Sequence, residues 1–182
     1  MVAKDRDYDP SHAYGNDLAG RIGLALEAVV EWAGKLTMWI ALAMVLLIAT
    51  NVIMRYLFSI GPVALQELEW HLMAPVALIG SSYTLRHHSH VRIDIFYEKF
   101  GQRTRALVNL LVAISLLVVS LLIFELSLDF VYQAYVIGEG SPDPGGLPHR
   151  FLLKAVIPLG FALLAFQALA HAILYTKRLF GR

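Results

Sequence analysis

The chain has 182 residues, of which 58% are hydrophobic and 16% charged, and its mean hydropathy is +0.61. A soluble domain is nearer half apolar and a quarter charged, so this composition points to the membrane class. The net charge of +1 gives no electrostatic case for nucleic acid as a partner, and the lack of cysteine excludes a disulfide scaffold, a cysteine-ligated zinc and an iron–sulfur cluster.

Residues 1–17 read as a polar, mixed-charge tail. No basic region leads directly into a short apolar run there, so no cleaved signal is expected. Over 18–35, Leu18, Ile22, Leu26, Val29 and Ala33 recur at three- and four-residue spacing, while Arg21, Glu27, Glu31 and Lys35 fall elsewhere. That pattern suggests an amphipathic helix lying on the cytoplasmic membrane surface. The alternative is that 18–35 extends the first span inward.

A membrane helix needs about 20 mostly apolar residues. Four segments qualify: 36–56, with a charge-free run over 36–54; 62–86, whose apolar heart is short; 106–136, whose clean part ends at Phe124; and 151–175, with Pro158 and Gly160 inside it. The expected fold is therefore an all-α membrane protein over 36–176, with an interfacial helix before it and a tail at 177–182. Twelve of the fifteen Lys and Arg residues lie in the N-terminal region, the second connection and the C-terminus, against Arg55, Arg150 and Lys154 in the other two connections. By the positive-inside rule both termini are expected on the cytoplasmic side of the membrane.

Intramembrane charge defaults to function, and the centres of the four segments carry none. Arg55, Glu67, Glu69, Glu125 and Asp129 are expected near the outer interface, with Arg55 paired to Glu67, Glu69 or Glu125. Asn51, Ser115, Ser120 and Gln167 are the polar residues at depth, expected to hydrogen-bond between helices. Such a bundle suits a supporting subunit better than an ion or solute pathway. A haem anchor would need histidines at matched depth on neighbouring helices. His71 and His149 lie on the outer side and His87, His88 and His171 towards the inner side, so the pattern is diffuse. The HHSH run at 87–90 lacks the carboxylate spacing of a metal site, and neither cofactor nor metal is expected.

Three stretches together resemble the small membrane subunit, DctQ-like, of the tripartite ATP-independent periplasmic (TRAP) transporters. Residues 51–58, NVIMRYLF, followed by QELE at 66–69, are similar to the family's N-x-x-x-R-Y end of the first span and acidic start of the second. GSSYTLRHHSHVRID at 80–94 is similar to its small-residue run, basic turn and H-V-x-[IV]-D. GGLPHRFLLKAVIPLG at 145–160 resembles the opening of the last span. The resemblance implies a non-enzymatic subunit. Its partners would be a large TRAP membrane subunit, which carries the sodium coupling, a periplasmic substrate-binding protein that delivers an organic acid anion, and lipid. Structural or interface candidates are Arg55, Glu67, Glu69, His90, Arg92, Asp94, Glu125, Gly145, Gly146 and Lys154. His90, Arg92 and Asp94 are read first as a local turn lock, and 141–150 as an outer loop facing the binding protein. A haem-bearing membrane anchor of an oxidoreductase is the alternative; a self-sufficient exporter would need an ionisable residue within a span.

Overall fold

The computed structural model describes Tyr14, 17–87 and 100–180. These residues form four helices and, among them, no strand: α1 (Leu18–Phe58), α2 (Val63–Arg86), α3 (Gln102–Val136) and α4 (Phe151–Phe180). Three of the four, α1, α3 and α4, are long and apolar enough to cross a membrane by length and composition. The second helix does not reach that standard, because Glu67, Glu69 and His71 occupy its outer third and Ser81, Ser82, Thr84 and Arg86 its inner end.

The separate interfacial helix expected over 18–35 is not seen. Backbone hydrogen bonding runs unbroken from Leu18 to Phe58. The physical reason is local: Lys35 is followed by Leu-Thr-Met-Trp, with no proline to break the ladder, and Thr37 donates its hydroxyl back to the Ala33 carbonyl of its own helix at 2.9 Å. The helix instead stops at Ser59, which adopts left-handed φ 55°, and the Ile60 N–H returns to the Met54 carbonyl at 3.1 Å. Closing the ladder in this way satisfies a carbonyl that would otherwise face lipid unpaired. Pro62 then precedes α2. The prolines inside α2 and α4, Pro75 and Pro158, are both buried against neighbours.

Packing follows small residues. The buried face of α3 is Ala106, Ala113, Ser120, Ser127 and Ala134, one every seventh residue. A strict heptad of small side chains keeps one seam facing a partner helix, and α3 packs along α4 over its length. Both α1 and α2 pack on each other and on α4. Ala33, Ile79 and Leu163 form a small apolar core where α1, α2 and α4 meet. A β-carbon on Gly34 would stand 2.5 Å from Cγ of Tyr83, and one on Gly160 would stand 2.7 Å from Cβ of Leu78. Glycine at each place lets the neighbouring helix approach. Large apolar side chains point outward along α1 and α3, among them Val45, Leu46, Val118, Leu121 and Leu122.

Candidate functional site: the two cross-tied ends of the bundle

Polar chemistry gathers at the two ends. At the outer end, Glu67 of α2 is buried, 4% exposed, beneath the loop from α3 to α4. Its carboxylate accepts the Leu147 N–H at 2.6 Å and the Ser141 hydroxyl. The loop closes on itself: Ser141 N–H bonds the Leu147 carbonyl at 3.0 Å and Arg150 N–H bonds that of Glu139 at 2.8 Å. At its base Lys154 pairs with Glu139 at 2.5 Å and lies 3.9 Å from the Phe130 ring centroid. Gly145 has φ +80°, a left-handed conformation open to glycine. A β-carbon on Gly146 would come within 2.8 Å of Oε2 of Glu67 and would also strike Ser141. The expected site residues Glu67, Gly145, Gly146 and Lys154 thus meet in one clamp. Ser141, Glu139 and Leu147 complete it, contributed by a loop whose backbone path has no periodicity to read. Replacing Glu67 with alanine is expected to raise amide hydrogen exchange at Leu147 on the order of tenfold or more, leaving exchange in the centre of α3 unchanged.

Beside the clamp, Asn51 Nδ2 donates to Glu69 Oε1 at 2.6 Å, tying the outer ends of α1 and α2. The expected ion pair of Arg55 with Glu67, Glu69 or Glu125 is not formed. Both acids of α2 already have the partners just named, and Arg55 is exposed with no ion pair among the described residues. Glu125 and Asp129 are exposed on α3. Of the four polar residues expected to bond between helices, Asn51 does so. Ser115 is exposed, while Ser120 and Gln167 are fully buried with side-chain atoms that find no partner among the described residues. His90, Arg92 and Asp94 lie outside the described residues.

The inner end carries a cluster that hydropathy alone does not reveal. The inward face of the first half of α1 is Gly20, Gly23, Glu27, Val30, Ala33, Gly34 and Thr37, whereas Leu18, Ile22 and Val29 are exposed. Of the expected apolar stripe only Ala33 is buried and Leu26 half-buried, while Glu27 from the expected polar side is buried. Glu27, 1% exposed, receives Arg86 of α2, whose Nε stands 3.6 Å from Oε2. Arg86 also pairs with Glu31, which is joined by His87 Nε2 at 3.0 Å and Lys35 at 3.3 Å. Tyr14 packs its ring on Gly23, and its hydroxyl lies 2.7 Å from Glu27 Oε1 and 3.1 Å from the Ala170 carbonyl of α4. Lys177 of α4 donates to the Tyr14 carbonyl at 2.5 Å and pairs with Asp17. The Lys177 ammonium holds the Asp17 carboxyl below the ordinary carboxylate range. The sequence signal was the stripe of small residues at three- and four-residue spacing with one acid inside it, which marks a helix–helix face better than the larger apolar residues do.

No residue set here is arranged for catalysis. Among the described residues no three His, Asp or Glu side chains gather as a metal site. His71 bonds the Glu67 carbonyl of its own helix at 2.7 Å, and His171 packs on Tyr175 of its own helix. A cavity between α2, α3 and α4, lined by Leu85, Asn109, Ala113, Ala168 and His171, holds about 30 Å³. That is room for one water molecule.

Three helices of membrane-crossing length, packed with a fourth and tied to it by polar contacts at both ends, define a helical membrane protein. The sequence pattern of the DctQ component of the tripartite ATP-independent periplasmic transporters matches residues 44–178, and the chain belongs to that family. The family is one of transporter components, not enzymes, and it lends no support to the haem-anchor alternative. A C4-dicarboxylate TRAP transporter small permease protein DctQ from Vibrio cholerae serotype O1 (strain ATCC 39315 / El Tor Inaba N16961) is 29% identical over 150 residues, covering 71% of this chain and 65% of that relative. The match thus spans a little under two thirds of the relative's length.

Proposed function

We propose that this chain is the small membrane subunit of a TRAP-type secondary transporter, a static scaffold for the large permease subunit. In this reading four helices span the inner membrane with both termini in the cytoplasm. The large subunit carries sodium-coupled uptake of an organic acid anion, and a periplasmic binding protein delivers that anion. The carrying observation is the pair of cross-ties: Glu67 locks the outer loop to α2, and Glu27 with Arg86 locks α1 to α2 inside. A transport path must open and close, whereas α1 and α2 are joined at both ends, by Asn51 with Glu69 at one and by Glu27 with Arg86 at the other. The cavity of about 30 Å³ is also too small for a dicarboxylate. The closed loop at 137–150, with exposed Pro142, Asp143 and Pro144, offers a rigid surface on the side where the binding protein docks.

Co-expression with a large TRAP membrane subunit from the same genome tests the reading. The two should co-purify in a fixed ratio, and uptake should be lost without the small subunit. Uptake by the large subunit alone at the full rate would sink the scaffold role. Arg55, exposed and without an ion pair among the described residues, is the outer-end interface candidate. Arg55→Ala is expected to leave stability of the isolated chain within about 0.5 kcal/mol, as for other surface substitutions. It should at the same time lower the yield of the complex.

A further inference from the structure

The charge-free runs of α1 and α3 do not lie at the same height in the bundle. Gly34 of α1 lies against Tyr83 of α2, and Leu78, one and a half turns outward, lies against Gly160 of α4. Lys154, further outward on α4, stands over the Phe130 ring of α3, and Tyr135 packs edge-on against Phe151 at 5.3 Å. Carried along the helices, these contacts set Val45 of α1 level with about Phe130 of α3. Val45 is the centre of the charge-free run 36–54 in α1, but the centre of the run 106–124 in α3 is Ser115. The mismatch is about 15 residues, or ~22 Å at 1.5 Å per residue.

Each run is bounded by exposed charge. Lys35 and Arg55 flank that of α1, and exposed Arg103 and Glu125 bracket that of α3, with Asp129 one turn beyond. An upright bundle would put Glu125 and Asp129 level with Trp39 and Ala43, inside the run of α1, with their side chains turned to lipid. Exposed carboxylates at that depth are strongly disfavoured. Neither acid pairs with a base among the described residues to relieve this.

We propose that the bundle sits obliquely in the bilayer, so that lipid covers a slanting band from α1 around Val45 to α3 around Ile114. The proposal rests on the membrane-spanning reading above. With α4 standing between α1 and α3, two helix–helix distances of roughly 8–10 Å separate the outer pair. Over that width of ~18 Å, a tilt of roughly 40° brings the two centres to within ~5 Å of one depth. Helix length agrees. At 40° a 30 Å hydrocarbon layer takes about 26 residues rather than about 20; α1, α3 and α4 have 41, 35 and 30, whereas α2, with 24, crosses with its polar ends at the headgroups. The band itself is exposed apolar surface at Val45 and Ile114. The tilt raises the α3 side outward, carrying Glu125 and Asp129 towards the outer headgroups and Glu31 and Lys35 towards the inner ones.

The absence of native cysteine makes the test direct. Single nitroxide labels are placed at Val45→Cys, Tyr132→Cys, Val29→Cys and Ile114→Cys, all exposed positions, in the full chain reconstituted in phosphatidylethanolamine–phosphatidylglycerol vesicles. Depth is read from oxygen against nickel-chelate accessibility. Val45 and Ile114 should both lie in the hydrocarbon. Tyr132, level with Val45 in the bundle, should lie ~12 Å nearer the outer surface, and Val29, level with Ile114, ~12 Å nearer the inner surface. Equal depths within ~4 Å in both level-matched pairs would overturn the oblique seat while leaving the spans intact. Chelate access to both Val45 and Ile114 would instead overturn the spanning reading itself. Polarised infrared dichroism gives an independent readout, with a mean helix tilt below ~20° counting against the proposal.

Discussion

Replacing Arg86 with methionine is expected to lower the stability of the chain by roughly 3–5 kcal/mol, the cost of stranding a buried charge. Arg86 pairs with Glu27, and the two side chains are 16% and 2% exposed. It is also one of three groups around Glu31, with His87 and Lys35. Methionine keeps much of the volume of the stem, so the loss isolates the charge. Thermal unfolding in detergent should show a fall on the order of 10 °C. A second substitution separates charge from packing. Adding Glu27→Gln to Arg86→Met removes the stranded carboxylate but leaves an oxygen for the Tyr14 hydroxyl, so most of the loss should return. If Arg86→Met costs under 1 kcal/mol, the inner cluster is not what holds α1 to α2. The same substitution bears on function through the scaffold reading, since a loosened inner end would lower the yield of complex before it altered any substrate preference.

The four helices were legible because charge-free length is a strong signal, and the ends of α2 and α4 fall close to where the charges begin. The outer clamp was half legible. Glu67, Gly145, Gly146 and Lys154 stand out in motifs, but which of them touch depends on the path of the loop. Its left-handed residues at Gly138, Gly145 and His149 set that path without any repeat in the sequence. The inner cluster was misread for a physical reason. Large apolar residues mark the buried face of a soluble helix, but in a membrane protein lipid covers them and the small residues pack. Gly20, Gly23, Val30, Ala33 and Gly34 carried that message around Glu27. The seventh-residue alternation of Ala106, Ala113, Ser120, Ser127 and Ala134 was equally readable. The boundary placed at residue 35 shows the other failure: a change of hydropathy is a change of solvent, and the backbone ladder passes through it. The stagger of α3 against α1 was not legible, since it depends on contacts between helices rather than on any one helix.

Gly160→Leu should open the seat between α2 and α4, with consequences at both ends of the bundle. The obstacle is partly backbone: a β-carbon at 160 meets Cβ of Leu78 at 2.7 Å, its carbonyl carbon at 3.2 Å and its Cα at 3.4 Å. A side chain can swing aside, but a helix backbone yields only if the helices part. Overpacking of this kind costs about 1–3 kcal/mol even for modest additions, and leucine adds far more volume than a single methyl. Gly160→Ala is expected at the low end of that range. Gly80 supplies the control. It too lies within a helix, but a β-carbon there meets nothing within 4 Å. Gly80→Ala should therefore be neutral or stabilising by up to about 1 kcal/mol through helix propensity alone. Because α2 also carries Glu67, parting it from α4 pulls the carboxylate away from the Leu147 N–H. Hydrogen exchange at Leu147 should then rise in Gly160→Leu as it does in Glu67→Ala, although residue 160 lies more than two helical turns along α4 from the loop. Unchanged protection at Leu147 in a destabilised Gly160→Leu protein would show that the outer clamp holds independently of the helix seat.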